Sequence, residues 1–421
     1  MKNKEYFQGK KIAIVGLARS GVSCAILLKD LGAEIFVTDA GDNEALRINA
    51  LELNAKGIKE IELGKHTQNF IKGKDLVIIS PGVSDKSQAV VWAKEFGIPV
   101  ISEIELSFML CPARVIAITG TNGKTTVTTL IGKIIQACGK NAVICGNIGN
   151  PFAGELNKLR EGDFVSLEVS SFQLETIKTF KPFISLILNF TPDHLDRYKN
   201  TDEYLGTKKR IFMNQDKHDY VILNYDDPAL RDLSKEIKAN VRYFKHEAGL
   251  NPNQSAVLEV AKILGIDRNL CLEVFSRFKG IEHRMEWVSE INGVEFINDS
   301  KATNVDSTAW ALRNLNKPVV LIAGGRDKGI DYSLVSELVR DKVKALVLIG
   351  EAKDKIKKAL GEIVPHLEAG SMQEAVEKAY KKSNPGYCVL LSPMCASFDM
   401  FQNYEHRGKV FKSAVLDLAK G

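Results

Sequence analysis

Cysteine is sparse in this sequence: seven residues in 421, scattered, with no CxxC pair among them. That excludes a disulfide framework as the source of stability, and it leaves no thiol spacing suited to a structural zinc or a thioredoxin-type redox pair. Long apolar runs are also missing. None approaches the roughly 18–20 residues needed to span a bilayer. The first ten residues, MKNKEYFQGK, lack the apolar stretch of a secretory leader. Nor is there an excess of one charge: 57 Lys and Arg stand against 52 Asp and Glu, a formal net charge of +5. No basic arm or acidic tail concentrates that charge, so nucleic acid is not an expected partner. Internal repeats and low-complexity segments are absent. Together these features predict a soluble, cytoplasmic protein without membrane insertion.

What the sequence does hold is alternation. Short apolar runs (KIAIVGL, EIFVTD, DLVIISPGV, VIAITG, DFVSLEV, ISLILNF, YVILN, VVLIAGG, ALVLIG and CVLLSP) are separated by helix-length amphipathic stretches such as 22–32, 126–138, 332–341 and 372–382. Continuous apolar strands alternating with helices predict α/β architecture, with parallel sheets covered on both faces. Boundaries are expected near Cys111-Pro112 and within 282–287. They give domains at 1–111, 112–282 and 283–421.

The sharpest local pattern is VIAITGTNGKTT. An apolar strand leads into Gly120-Thr121-Asn122-Gly123-Lys124-Thr125-Thr126, and a helical pattern follows. Glycines let the backbone curl so that N–H groups face a phosphate, and a helix N-terminus adds partial positive charge. Lys124 is placed to reach the β- and γ-phosphates of a nucleotide, and the Thr125 hydroxyl to reach Mg²⁺. The usual GxxxxGK[ST] spacing needs a glycine where Ile118 stands, so the loop is a shortened variant. The plain alternative, a turn carrying a solvated lysine, fits the strand–loop–helix context poorly.

A second glycine pattern, Gly16-Leu17-Ala18-Arg19-Ser20-Gly21, follows KIAIV, and Asp39 ends the next strand. Ala18 takes the place of the middle glycine of a dinucleotide fingerprint. That argues against nicotinamide chemistry and leaves a nucleotide-diphosphate site or a simple strand–helix turn. Glu168 closes the run DFVSLEV, where a strand-end carboxylate near a phosphate loop suits Mg²⁺. Asp193, His194, Asp196 and Arg197 crowd the end of ISLILNF, a cluster suited equally to helix capping and to catalysis. Lys208-Lys209-Arg210 reads as a charged helical face, and spacing alone singles out neither lysine.

Read together, these stretches resemble the Mur ligases of peptidoglycan synthesis, a superfamily that includes folylpolyglutamate synthases. The resemblance rests on GTNGKTT and on Leu167–Glu175 (LEVSSFQLE), Asp193–Tyr198 (DHLDRY), Glu282–Glu286 (EHRME), Asn298–Asn304 (NDSKATN), Leu391–Asp399 (LSPMCASFD) and Asn403–Gly408 (NYEHRG). NDSKATN and SPxCAS single out the branch that adds D-glutamate. The resemblance implies a Rossmann-like N-terminal domain, a central phosphate-loop ATPase-like parallel-sheet domain and a Rossmann-like C-terminal domain. It implies an ATP-dependent ligase that joins D-glutamate to UDP-N-acetylmuramoyl-L-alanine through an acyl-phosphate, acting as a monomer. The alternative within the superfamily is a folylpolyglutamate synthase.

Site roles follow from the same resemblance. Gly120–Thr126, Asn251, Arg284 and Asp299 would bind ATP. Thr125, Glu168, His194 and Lys208, the last as N6-carboxylysine, would hold two Mg²⁺ ions. The neighbouring Lys209 is the other possible register. Lys124, His194, Lys208 and Lys301 would be catalytic. Lys301, Thr303, Lys328, Ser397 and Tyr404 would take D-glutamate, while Gly16, Leu17, Asp39, Asn147 and His194 would take the UDP-muramoyl substrate. One departure stands out: family members carry His-Asn and a further Asn where this chain has Leu250-Asn251-Pro252-Asn253-Gln254, which leaves the adenine contacts open.

Overall fold

The computed structural model describes residues 1–84, 86–193 and 197–420. Three sheets organise the chain. The first holds β1 (Lys11–Val15), β2 (Glu34–Asp39), β3 (Glu60–Leu63), β4 (Leu76–Ile79) and β5 (Val100–Ser102), in the order β3-β2-β1-β4-β5 and all parallel. The second holds β6 (Arg114–Thr119), β7 (Ala142–Gly146), β8 (Phe164–Glu168), β9 (Ile184–Ile187), β10 (Tyr220–Asn224) and β11 (Asn240–Phe244), parallel in the order β11-β10-β9-β6-β8-β7. The third holds β12 (Glu286–Ile291), β13 (Val294–Asn298), β14 (Val319–Gly324), β15 (Val343–Ile349), β16 (His366–Glu368) and β17 (Cys388–Leu391), in the order β12-β13-β17-β14-β15-β16.

The apolar runs are continuous because each central strand feeds two cores. In β1, Ile12 and Ile14 enter one apolar cluster while Ala13 and Val15 enter another. In β6, Val115 and Ala117 face one way, Ile116 and Ile118 the other. In β14, Val319, Leu321 and Ala323 oppose Val320 and Ile322. Side chains alternate across a strand, so burial on both faces removes the polar half of the pattern.

The third sheet departs from the all-parallel expectation. Its edge strand β12 pairs antiparallel with β13 through a turn at Asn292 and Gly293, both with positive φ. Asn-Gly between two apolar-alternating segments is the local signal for such a hairpin, and Trp287 on the edge strand is exposed.

The chain forms two compact units. One comprises Met1–Phe190 and Asp202–Phe278, carrying the first two sheets; the other comprises Thr191–Thr201 and Lys279–Gly421, carrying the third. Within the first unit, buried Glu105 ties the leading sheet to the second. Its carboxylate accepts from the backbone N–H of Lys178 (2.9 Å), Thr179 (2.6 Å) and Phe180 (3.0 Å), and from Thr179 Oγ1. Among the described residues, no helix is long and apolar enough to cross a membrane.

Candidate active site

β6 is the switch strand of the second sheet, with β8 on one side and β9 on the other. Ligands of open α/β sheets gather at the carboxyl ends of strands at such a point. There the chain leaves β6, curls through residues 120–123 and enters the helix Lys124–Ala137. Gly120 has φ 145° and Gly123 φ 83°. A Cβ at Gly123 would lie 2.4 Å from Asn253 Oδ1, and one at Gly120 3.1 Å from Leu188 Cβ, so a larger residue would strain the positive-φ backbone and push on these neighbours. Asn189 braces the loop: its backbone carbonyl accepts from Thr121 N (3.1 Å), its Oδ1 from Asn122 N (2.8 Å), and its Nδ2 donates to Asn122 O (3.0 Å).

Three functional candidates converge here. Lys124 folds back over the loop, donating to Gly120 O (3.0 Å) and Thr121 O (2.8 Å). Lys208, on the helix Thr201–Lys209, is 1% exposed; its Nζ also donates to Gly120 O at 3.0 Å and lies 4.4 Å from the Tyr204 ring centre. Its neighbour Lys209 pairs with Glu236 instead, so the two registers left open by the sequence differ in what they face. Glu168, 2% exposed, ends β8 directly beside Ile118 in the ladder. Asn147 Nδ2 donates to its Oε1 (3.1 Å), while Oε2 is buried with no hydrogen-bond partner. A buried carboxylate oxygen without a donor is costly unless a cation completes it. Thr125 is also buried at this end, and Thr126 lies in the same first turn. These residues fit a phosphate-bound Mg²⁺. His194 falls outside the described residues.

Asn251 is placed differently. It caps the helix Pro252–Leu264, its side chain accepting from Gln254 N (3.0 Å) while Gln254 Oε1 accepts from Asn251 N. Asn253, which sequence reasoning passed over, is the residue of this stretch that reaches the phosphate loop.

The leading glycine pattern sits at the switch between β1 and β4. Gly16 lies so close to Ser80 that a Cβ would approach Ser80 Cβ to 2.8 Å, and Ser80 Oγ donates to Gly16 O (3.0 Å). Asp39 accepts from Leu17 N (2.7 Å) and Gly41 N (2.8 Å), bracing the turn with both oxygens.

The remaining candidates belong to the third-sheet unit, at the carboxyl ends of β13, β14 and β17. Asp299 is 4% exposed and accepts from Ser392 Oγ (2.9 Å) and Met285 N (3.2 Å). Burial pushes its carboxyl up to about 7, against the opposing pull of the Arg284 charge and those hydrogen bonds. Lys301 Nζ lies 5.1 Å from the Tyr404 ring centre, and Lys301 N donates to His283 O. Thr303 N donates to Lys301 O, closing a tight turn. Lys328 sits beside Asp193, and Ser397 is buried in the loop after β17.

Arg407, fully buried, holds this cluster together. Its guanidinium donates to Ser300 Oγ and O and to the carbonyls of Cys395 and Ala396 through five hydrogen bonds. Sequence reading did not single it out, because nothing local distinguishes a buried arginine. Glu282, His283 and Glu286 also gather within 4.8 Å, but Lys412 Nζ already bridges the two carboxylates at 2.7 and 2.9 Å.

A glycine-curled loop at a switch strand, two lysines turned onto its carbonyls and an incompletely satisfied carboxylate beside it define the class: an α/β protein built to hold a nucleotide's phosphates. Within that class the chain belongs to the Mur ligase family. Residues 10–102 match the Mur ligase MurD-like N-terminal domain, 118–283 the Mur ligase middle domain and 283–395 the Mur ligase glutamate ligase domain. The UDP-N-acetylmuramoylalanine–D-glutamate ligase of Caldanaerobacter subterraneus subsp. tengcongensis is 41% identical over 98% of this chain and 99% of its own length. The protein of that name from Thermoanaerobacter pseudethanolicus is 39% identical over the same shares. Among solved structures, the UDP-N-acetylmuramate-alanine ligase MurC of Thermotoga maritima superposes with a TM-score of 0.64 at 17% identity, covering 97% of this chain and 100% of that one. The MurF ligase of the same organism, in complex with ADP, gives 0.59 at 13% identity, over 100% and 98%. At such identities these two establish the fold.

Proposed function

We propose that this protein uses ATP to join the amino group of D-glutamate to the alanyl carboxylate of UDP-N-acetylmuramoyl-L-alanine, a step in peptidoglycan precursor synthesis. The observation that carries this reading is relatedness at about 40% identity along essentially the whole chain to ligases of that name. The reading assigns 1–111 to the UDP-substrate, 112–282 to ATP and 283–421 to the amino acid, in a cytoplasmic monomer.

A free carboxylate is a poor acylating agent because oxide is a poor leaving group. The γ-phosphoryl of ATP is transferred to the alanyl carboxylate, giving an acyl-phosphate and ADP. The neutral amine of D-glutamate then attacks the acyl carbon, and phosphate leaves. The chain's part is positioning and charge. Loop N–H groups and Lys124 take the phosphates, with Arg284, Asp299 and Asn251 on the nucleotide side. Mg²⁺ held by Thr125, Glu168, His194 and Lys208 as N6-carboxylysine would draw charge off the phosphoryl oxygens. On the amino-acid side, Lys301 stands at the reaction centre. Thr303 and Lys328 take the α-carboxylate, while Ser397, with backbone near Tyr404, takes the side-chain carboxylate. Gly16, Leu17, Asp39 and Asn147 line the UDP-muramoyl path, where the backbone of a braced turn meets a diphosphate.

The test is ADP release by the purified protein given ATP, Mg²⁺ and UDP-N-acetylmuramoyl-L-alanine, with and without D-glutamate. Release that requires both substrates, with an amide product of matching mass, supports the reading. Release driven equally well by L-alanine, L-lysine or a folate in place of D-glutamate overturns it.

A further inference from the structure

The segment Thr191–Thr201 lies between β9 and β10 in sequence, yet it belongs to the compact unit built on the third sheet. Among its described residues, Asp193 is deeply buried, 4% exposed. A carboxylate so placed needs partners. Asn304 Nδ2 donates to its Oδ2 at 2.9 Å, and Lys328 Nζ lies 3.7 Å from its Oδ1. Asn304 is itself fixed from the other end, because its Oδ1 caps the helix Val305–Asn314 by accepting from Ser307 N (2.9 Å). So the amide that grips Asp193 cannot swing away without uncapping a helix.

The two contacts differ in kind. At 2.9 Å the asparagine makes a hydrogen bond, whereas 3.7 Å is a charge contact too long for one. Lys328 makes no hydrogen bond among the described residues, though its side chain is only 13% exposed. An ammonium drawn to a fixed negative charge, mostly out of water and with its donors uncommitted, is prepared for a second anion. The turn beneath it is also fixed: neighbouring Asp327 accepts from Tyr332 Oη (2.9 Å) and Gly329 N (3.1 Å) and pairs with Lys355.

We infer that Asp193 is a positioning residue for amino-acid recognition: clamped by Asn304, it holds the Lys328 ammonium by charge and leaves its donors to the α-carboxylate of the incoming amino acid. This rests on the reading that Lys328 binds that carboxylate. Asp193 acts through Lys328 and touches no substrate.

Steady-state kinetics of the full-length enzyme test it, with KM measured separately for all three substrates. Lys328→Met should raise the KM for D-glutamate by about 100-fold, the scale of a lost charge-assisted hydrogen bond. Asp193→Asn keeps an oxygen for Asn304 but turns neutral, and should raise that KM about tenfold. KM values for ATP and the UDP-linked substrate should stay within about twofold. Asn304→Ser preserves the helix cap and removes only the clamp. It should raise the D-glutamate KM in the same direction and serves if Asp193→Asn folds poorly. Adding Asp193→Asn to Lys328→Met should change nothing further. If Lys328→Met leaves the D-glutamate KM unchanged, the assignment of Lys328 fails. If it raises KM while Asp193→Asn and Asn304→Ser do not, or if Asp193→Asn is as damaging without Lys328, the positioning role fails and the assignment stands.

Discussion

Glu103 is buried at the start of the helix Glu103–Leu110, 1% exposed. Its Oε1 accepts from Ala153 N (2.7 Å) and Ser107 Oγ (3.3 Å), and its Oε2 has no partner. Burial is the dominant effect and raises its carboxyl from 4.5 to about 7, with those hydrogen bonds pulling the other way. The charged form is therefore the disfavoured one. Stability from this group is fully present below pH 4.5 and is lost as pH rises through about 7. The whole shift corresponds to about 3 kcal/mol, of which about 2 kcal/mol falls between roughly pH 5.5 and 8.5. Cys24 and Cys145, which face the same site, do not confuse this window: burial, the largest effect, and the Glu103 charge push both thiols up, so they stay neutral. Glu103→Gln keeps the acceptor for Ala153 N and cannot ionise. Urea unfolding of both proteins at the two pH values should show the wild type losing about 2 kcal/mol more than the variant on going to the higher pH. Trp92 lies in the same unit and serves as reporter once the exposed Trp287 and Trp310 are changed to Phe. Identical pH dependence in the two proteins would refute the argument that burial controls this carboxyl.

Three other outcomes follow from the site. Lys208→Ala should cut D-glutamate-dependent ADP release by at least about 100-fold, while Lys209→Ala, which loses only a pairing with Glu236, should cost less than about threefold; a reversed order would move the assignment to Lys209. Gly123→Ala sets a methyl group against Asn253 Oδ1 at positive φ and should weaken ATP binding by about tenfold or more in a nucleotide titration. Arg407→Met leaves the carbonyls of Ser300 and Cys395 without their donor, while Ala396 O keeps the Arg326 N–H, and should destabilise the third-sheet unit by about 3–5 kcal/mol, read from Trp310 fluorescence in denaturant.

Much of the fold was legible because its strands feed cores on both faces, which leaves uninterrupted apolar runs such as AIV at 13–15 and VVLIAG at 319–324. The short edge strands β3 and β16 were not, since partial burial gives them no such run. The antiparallel β12 was missed although Asn292-Gly293 announced it. The phosphate loop could be read from spacing because backbone curvature needs glycine at fixed places. The choice between Lys208 and Lys209 could not, since adjacent helical residues point about 100° apart and only the packing decides which enters the core. Asn304 and Arg407 lie inside the quoted stretches NDSKATN and NYEHRG, yet they and Asn189 were given no role, for another reason. Their work is to hold a partner distant in the chain, and no local pattern records a distant partner.

Because Thr191–Thr201 groups with residues 279–421, the third-sheet unit is discontinuous along the gene. A fragment begun at Lys279 would contain every strand of its sheet and still leave Asn304 and Lys328 facing an empty space where Asp193 stood. Exchange of this unit between related ligases therefore calls for three cuts and two grafts, with the eleven-residue segment travelling alongside the C-terminal portion.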